Sequence, residues 1–406
     1  MITPITLSPF TTTFLSQFTF TPSAMPISDK DIQTKDRELS RSQRLFLNPD
    51  IEKNLISKNE LLASFAISKA ENSQLTLTEA EAVYNLVQGD KEFSFLGSKL
   101  RGGKSLTQKD HDRLEFFDIA KTFREQGSLP FQLDLLTPDF ILDLHKKLTA
   151  GLDVFAKSLP DFEPYKSGSW RTSDDIRVGL YKPAPFSEIQ SGVEELVAWI
   201  KANPSPTSIA IFHTALYALH PFNNGNKRVT RILEHLLWRA IGLNSANLYS
   251  TSYYYHSEKD RYYKYLLYSL THANFNHFTS FILESAIYSM IGVIKTTIEV
   301  KRREYVNRAT SITAERKLLA PLIKHYELQF KHFARANRTK MARQTLVNML
   351  ASLTEKSILI RREEGKKVYY SLNLVFSESN LLSTWIQETK TKISYLPKSF
   401  GNIIPE

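Results

Sequence analysis

The chain has 406 residues, enough for two or three domains, and 42% of them are hydrophobic, ample for sizeable cores. Zero cysteines exclude a disulfide framework, a thiolate metal site and a cysteine nucleophile, and fit a reducing cytoplasm, the location expected here. A formal net charge of +10 favours anionic partners such as nucleotides or nucleic acid.

Residues 1–28 carry no charged side chain, are rich in Thr, Ser and Phe, and include Pro4, Pro9, Pro22 and Pro26. They lack a basic leader region and an apolar run of about 18 residues, so they read as a flexible or loosely docked arm, with no membrane span expected. Ile51, Leu55, Leu61, Leu62, Phe65 and Ile67 predict a helix over 51–69, which runs into the polar stretch 68–79. Further helical patterns cover 78–87 and 113–124, with Gly102 and Gly103 between them. Thr137-Pro138-Asp139 is a helix start with a hydroxyl cap and a proline in the first turn, and Phe140, Ile141, Leu144 and Leu148 supply its core face. Residues 168–172, 176–181 and 183–185 read as short β-type segments bounded by turn residues.

Ile209, Phe212, Leu216 and Leu219, then Ile232, Leu233, Leu236, Leu237 and Ile241, recur at helical spacing on either side of 220–231, which reads His-Pro-Phe-Asn-Asn-Gly-Asn-Lys-Arg-Val-Thr-Arg. Pro221 and Gly225 stop one helix and permit a sharp reversal. The second helix therefore starts near Asn226, and its unpartnered N–H groups form an anion site. Arg228 and Arg231 add guanidinium groups, and His220 stands at the end of the preceding helix, where an imidazole suits a general base. The plainer alternative is a helix–loop–helix with solvated arginines and a capping histidine; the density of groups at this spacing argues against it.

Beyond the loop, 248–252, 260–263 and 276–283 complete a helical core. Ile287, Ile291, Ile294 and Ile298 lead into the basic run 301–303 as a linker helix. Amphipathic helices over 318–330 and 342–354 precede a hairpin in which 358–360 and 368–372 flank Glu363-Glu364-Gly365-Lys366-Lys367. This tail resembles a winged helix. Arg343, Gln344 and Asn348 suit a major groove and Lys366 and Lys367 sit on the wing, though such domains also serve as plain protein-interaction modules.

The 220–231 stretch resembles the Fic family signature, His-x-Phe-x-(Asp/Glu)-Gly-Asn-(Gly/Lys)-Arg-x-x-Arg, at every fixed position but one. The resemblance implies a protein adenylyltransferase that moves AMP from ATP to a Ser, Thr or Tyr hydroxyl of a target protein, with His220 as base. By resemblance Phe222 anchors the loop, Gly225 and Asn226 hold the α- and β-phosphates, Lys227, at a variable position of the loop, also binds the nucleotide, Arg228 and Arg231 hold the β- and γ-phosphates, and Tyr263 walls the adenine. Asn224 stands where the family has an acidic Mg²⁺ ligand; an amide oxygen still coordinates but contributes no charge. The segment at 68–79 resembles the family's inhibitory segment, with Glu71 and Asn72 matching its Glu-Asn pair, Ile67 in place of a hydroxyl residue, and Glu71 implied to pair with Arg231. Residues 168–185, with Arg171, resemble a hairpin flap that lines up the target by strand pairing.

The resulting expectation is a mainly α fold: an arm over 1–45, a helical region with the inhibitory segment over 46–110, a Fic-type helical bundle with a short β-hairpin flap over 111–286, a linker helix over 287–316 and a winged-helix (α+β) domain over 317–406. Homodimerisation and duplex DNA stand among the partners this reading allows. Two rivals keep the same site: a DNA-binding regulator or scaffold with a degenerate nucleotide site, and a phosphotransferase.

Overall fold

The computed structural model describes residues 7–12, 14–46, 49–102, 104–128, 131–160, 162–337, 341–374, 377–397 and 400. It divides into two compact units, Met1–Ser289 and Met290–Glu406. The architecture is mostly helical, with one small antiparallel sheet.

Unit one holds helices α1 (Asp29–Phe46), α2 (Pro49–Ala70), α3 (Leu77–Gln88), α4 (Phe95–Arg101), α5 (Gln108–Gly127), α6 (Pro138–Leu148), α7 (Ile189–Ala202), α8 (Pro206–Leu219), α9 (Asn226–Ala240), α10 (Thr251–Ser257), α11 (Lys259–Thr271) and the start of α12 (Asn276–Ala309). α8 is the central element. Almost every side chain from Pro206 to Leu219 is buried, as expected of a helix apolar on all faces. It begins where the Ser205 side chain accepts from Ser208 N–H with Pro206 in the first turn, and it packs along α7 and α9. α3 begins with a reciprocal capping box between Thr76 and Glu79, and α6 with the Thr137 cap read from the sequence. α12 is long and apolar enough to cross a membrane by length and composition, but 78% of its apolar window is buried within the protein, the habit of a core helix.

Unit two comprises the rest of α12, then α13 (Thr313–Leu319), α14 (Pro321–Lys324), β1 (Glu327–Gln329), α15 (Phe330–Asn337), α16 (Arg343–Glu355), β2 (Leu359–Glu364), β3 (Lys367–Leu372) and α17 (Ser377–Lys392). β3 is the middle strand, antiparallel to both neighbours, and Gly365 takes the positive φ (+60°) that the β2–β3 turn requires. Leu346, Leu350 and Leu353 of α16 close over Leu359, Tyr370 and Leu372 of the sheet.

One expectation is narrowed and another corrected. Of the two states expected for the arm, flexible or loosely docked, the structure shows a docked one: among its described residues, Phe10, Leu15 and Phe18 are buried, Phe10 lies against Trp199 and Phe275, and Thr19 exchanges backbone bonds of 2.9 Å with Ala273 and Phe275. Having no charges to desolvate, this segment lies on the core at little cost. Residues 29–46 then form a helix. The flap is not a hairpin of strands. Only Val178 and Tyr181 bridge, around a tight turn, because no third strand lies beside the segment to extend a ladder.

Glu195 of α7 accepts the backbone N–H and the hydroxyl of both Thr11 and Thr12 at 2.5–3.2 Å, so it carries much of the arm's attachment. Glu195→Ala is expected to cost about 1–2 kcal/mol of stability. Thermal unfolding gives the loss, and hydrogen exchange over 7–28 should quicken; unchanged exchange would place the attachment elsewhere.

Candidate active site

The chain reverses between α8 and α9 through residues 220–225. His220 takes a left-handed conformation (φ +50°) while its N–H still bonds Leu216 O at 3.0 Å, and Pro221 prevents any further turn. Gly225 (φ +84°) then opens α9. Between them Phe222 is fully buried. Its N–H donates to Asn226 Oδ1 at 3.0 Å and its carbonyl accepts from Asn226 Nδ2 at 2.7 Å. The Asn226 side chain is therefore a clamp on its own loop, and only its backbone N–H remains for a phosphate.

A residue not singled out for the site from the sequence completes the loop. The ring of His145, on α6, stacks on Phe222 at 3.9 Å and 10°. Its Nδ1 accepts from Gly168 N–H at 3.0 Å, which leaves Nε2 as the donor to Asn224 O at 3.1 Å. Burial pushes its pKa down to about 4, so this imidazole is neutral with one tautomer fixed by its partners.

His220 is presented by Arg171, whose Nε donates to His220 O at 2.8 Å and whose other nitrogens hold the carbonyls of Leu219, Ala184 and Ser173. The imidazole lies edge-on to Tyr217, and its Nδ1 is buried without a hydrogen-bond partner. Burial, then the positive charges of Arg171 and Lys227, push its pKa down to about 4, so it stands in the unprotonated form that a base requires. An anion seated beside it raises that proton affinity toward neutrality.

A cavity of about 290 Å³ opens at this point. The loop contributes His220, Asn223, Asn224, Gly225, Asn226 and Lys227, α8 contributes Tyr217, and Glu71 and residues 177–179 complete the wall. Glu71 follows the end of α2, where Asn72 takes φ +64° and closes the turn. Burial alone would raise its pKa, but Lys227, Arg228 and Arg231 more than offset this and hold it below the usual carboxylate range. Its oxygens lie 3.5 Å from Lys227 Nζ and 3.5 Å from Arg228 Nε, and Oε1, on the Arg228 side, has no hydrogen-bond partner.

The expected pairing of Glu71 with Arg231 is thus replaced by contacts with Lys227 and Arg228. Arg231 sits one turn further along α9, donates to Ala66 O at 3.3 Å and lies over the rings of Tyr262 (4.6 Å) and Tyr255 (5.4 Å). Arg228 is fully buried, donating to Leu148 O at 3.2 Å beside Glu115 Oε2 at 3.6 Å. Tyr263 donates to Ala70 O at 3.3 Å. Neither arginine nor Tyr263 lines the cavity; the aromatic wall is Tyr217. Nε and Nη2 of Arg228 and Nε of Arg231 are buried without hydrogen-bond partners, Arg228 Nε lying 3.5 Å from Glu71 Oε1.

The residues fit a protein-held Mg²⁺ poorly. Asn224 Oδ1 carries no charge and already accepts from Gly225 N–H at 2.8 Å, the one carboxylate lining the cavity, Glu71, faces Lys227 and Arg228, and the described residues include no cluster of three His, Asp or Glu able to hold a metal.

Glu115 was missed from sequence. Asp112, Glu115 and Asp118, three apart on α5, are all buried, and carboxylates repeating at that spacing on one helix face are a legible sign of a buried cation opposite. Burial raises Glu115 to about 7 and Asp118 to about 8, in both cases against the lowering effect of Arg228.

The neutrality of His145 has a pH signature. With its folded pKa near 4 and an unfolded value near 6.5, the unfolded chain takes up the proton first, so this stability is complete above about pH 6.5 and is lost as pH falls toward 4. His145→Gln should flatten the pH dependence of urea unfolding across that window relative to the unmodified chain; parallel curves would mean that the imidazole is not neutral in the fold.

A buried imidazole at one helix end and the start of the next helix thus line one cavity across a six-residue loop. Residues 135–238 match the Fic/DOC family, so the chain carries a Fic/DOC family domain there. It is 26% identical over 145 residues to "Protein adenylyltransferase fic-1" of Caenorhabditis elegans, an alignment spanning 34% of this chain and 26% of that protein. The protein of the same name from Caenorhabditis briggsae is 25% identical over 145 residues. The chain thus spans about a quarter of the length of the curated relatives it matches. Among solved structures, a Fic family protein from Desulfovibrio desulfuricans G20 is 18% identical, covering 87% of this chain and 99% of that one, with a TM-score of 0.46.

Proposed function

We propose that the protein transfers AMP from ATP to a hydroxyl of a target protein. The observation that carries this reading is the neutral His220, fixed in the same cavity as the N-terminus of α9. His220 accepts the proton of the target hydroxyl, and the hydroxyl oxygen attacks the α-phosphorus. The bond from that phosphorus to the bridging oxygen breaks, and pyrophosphate departs with its electrons. The N–H groups at Gly225–Lys227 and the side chain of Lys227 take up the charge that accumulates. Glu71 is the inhibitory residue, because its carboxylate occupies the cations that a polyphosphate needs.

Intact-mass analysis of the chain with ATP tests this. Glu71→Gly should raise self-labelling by about tenfold or more, the worth of freeing one charge-assisted contact. His220→Ala in that background should lower it by about 10²–10⁴-fold. Label from α-labelled ATP supports adenylylation; label only from γ-labelled ATP would reassign the site to phosphoryl transfer, and no label from either would leave a nucleotide-binding scaffold.

For unit two, the order of its elements and its β1-β3-β2 sheet support a winged-helix module that docks duplex DNA. Within it Arg361 pairs with Glu363, and Arg362 pairs with Glu327 at 2.6 Å and Glu364 at 2.9 Å, so the hairpin guanidiniums are already neutralised. Exposed Arg343, Lys366 and Lys367 are then the phosphate contacts. Three such contacts predict a slope of log K against log salt of about −2.7. A duplex titration with a flat slope would instead assign unit two to protein contacts.

A further inference from the structure

The wall of the cavity that does not come from the motif is the turn 176–181, and it is held rigidly. Val178 and Tyr181 exchange both backbone hydrogen bonds at 3.0 Å around Gly179, which has φ +60°. Tyr181 is buried and its hydroxyl donates to Ala218 O at 3.1 Å; Ala184 N–H donates to the same carbonyl at 3.3 Å. Ala218 lies two residues before His220, and Arg171, in the same segment as the turn, holds the His220 carbonyl. The turn is therefore pinned to the very helix end that presents the imidazole.

Two cationic side chains line the cavity, Lys227 and Arg177. Lys227 is engaged, with Glu71 at 3.5 Å and Ala70 O at 3.1 Å. Arg177 is exposed at the mouth. Asn224 offers one uncharged carbonyl oxygen, which already accepts Gly225 N–H, and the one carboxylate in the lining, Glu71, faces Lys227 and Arg228, so the lining leaves no charged donor set for a divalent cation. We infer that Arg177 is a phosphate-binding residue that sets how the site recognises its ligand: its guanidinium neutralises the polyphosphate of the bound nucleotide, which therefore seats without a divalent cation held by the protein. A guanidinium on a pinned turn suits this, since its planar fork matches phosphate oxygens and little order remains to be imposed on binding.

This inference rests on the nucleotide reading above, and the test separates the two. Isothermal titration of the full chain carrying Glu71→Gly uses pyrophosphate and α,β-methylene-ATP as probes, in EDTA and again with Mg²⁺. Both probes should bind in EDTA. Adding Arg177→Gln should weaken both by about tenfold, with Arg177→Lys in between, while adenosine binding is unchanged. Equal affinity with and without Arg177→Gln would overturn the inference, as would binding that appears only with Mg²⁺, and either result would leave the nucleotide reading standing. Absence of binding under both conditions would remove the inference and the nucleotide reading together.

Discussion

The side-chain amide of Asn226 bonded to both backbone groups of Phe222 is the contact on which the site depends. A loop between two left-handed residues has many ways to relax, and two buried hydrogen bonds remove most of them. The full burial of Phe222 adds about 1.5–3 kcal/mol to the same end. His220 is thereby fixed relative to the first turn of α9, and a base and an anion site held in register are what group transfer needs. His145 makes the loop continuous with its surroundings, joining Asn224 to Gly168 through one neutral ring.

Around that loop the interior holds more charge than an apolar core tolerates, and the sequence answers it by pairing. Arg228 is buried against Glu71 and Glu115, with Asp118 close enough to feel its charge, and it lies 4.8 Å from the centre of the Tyr165 ring. Arg231 finds a different solution, stacking on Tyr262 and Tyr255. Those two tyrosines belong to a second buried network, in which Glu234 gathers Tyr255, Trp238, Thr251 and His213, while Tyr262 lies against the far nitrogen of His213. Two arginines that look equivalent in sequence thus answer to separate parts of the core.

That difference explains what the sequence made legible. Helix starts at Thr76 and Thr137 and the reversal at 220–225 depend on local chemistry, caps and turn residues whose effect spans a few positions. The placement of Glu71 beside the loop was also readable, through its resemblance to an inhibitory segment. Which cation Glu71 meets was not, because Lys227, Arg228 and Arg231 share the first turns of α9 and their partners come from α2, α5 and α11, far away in the chain. Tyr217 was hidden for a related reason: it lies inside the apolar pattern of α8, while Tyr263 stood out in a polar one. The docking of the arm depends on Glu195 and on Phe275, contacts across 180 residues or more that periodicity does not report.

The geometry also bears on how Glu71 yields. Removing one partner of a buried ion pair usually costs several kcal/mol, because the other charge is left bare. Here Arg228 would keep Glu115 at 3.6 Å after Glu71 moved away, and Lys227 would keep the carbonyl of Ala70 at 3.1 Å. The contact of Glu71 with Arg228 lacks hydrogen-bond geometry, so giving it up costs Coulomb attraction but no well-formed bond. Lys227, the one of these two cations that lines the cavity, is thus restrained by a second partner as well. Glu115 therefore holds Arg228 in place and partly neutralised independently of Glu71.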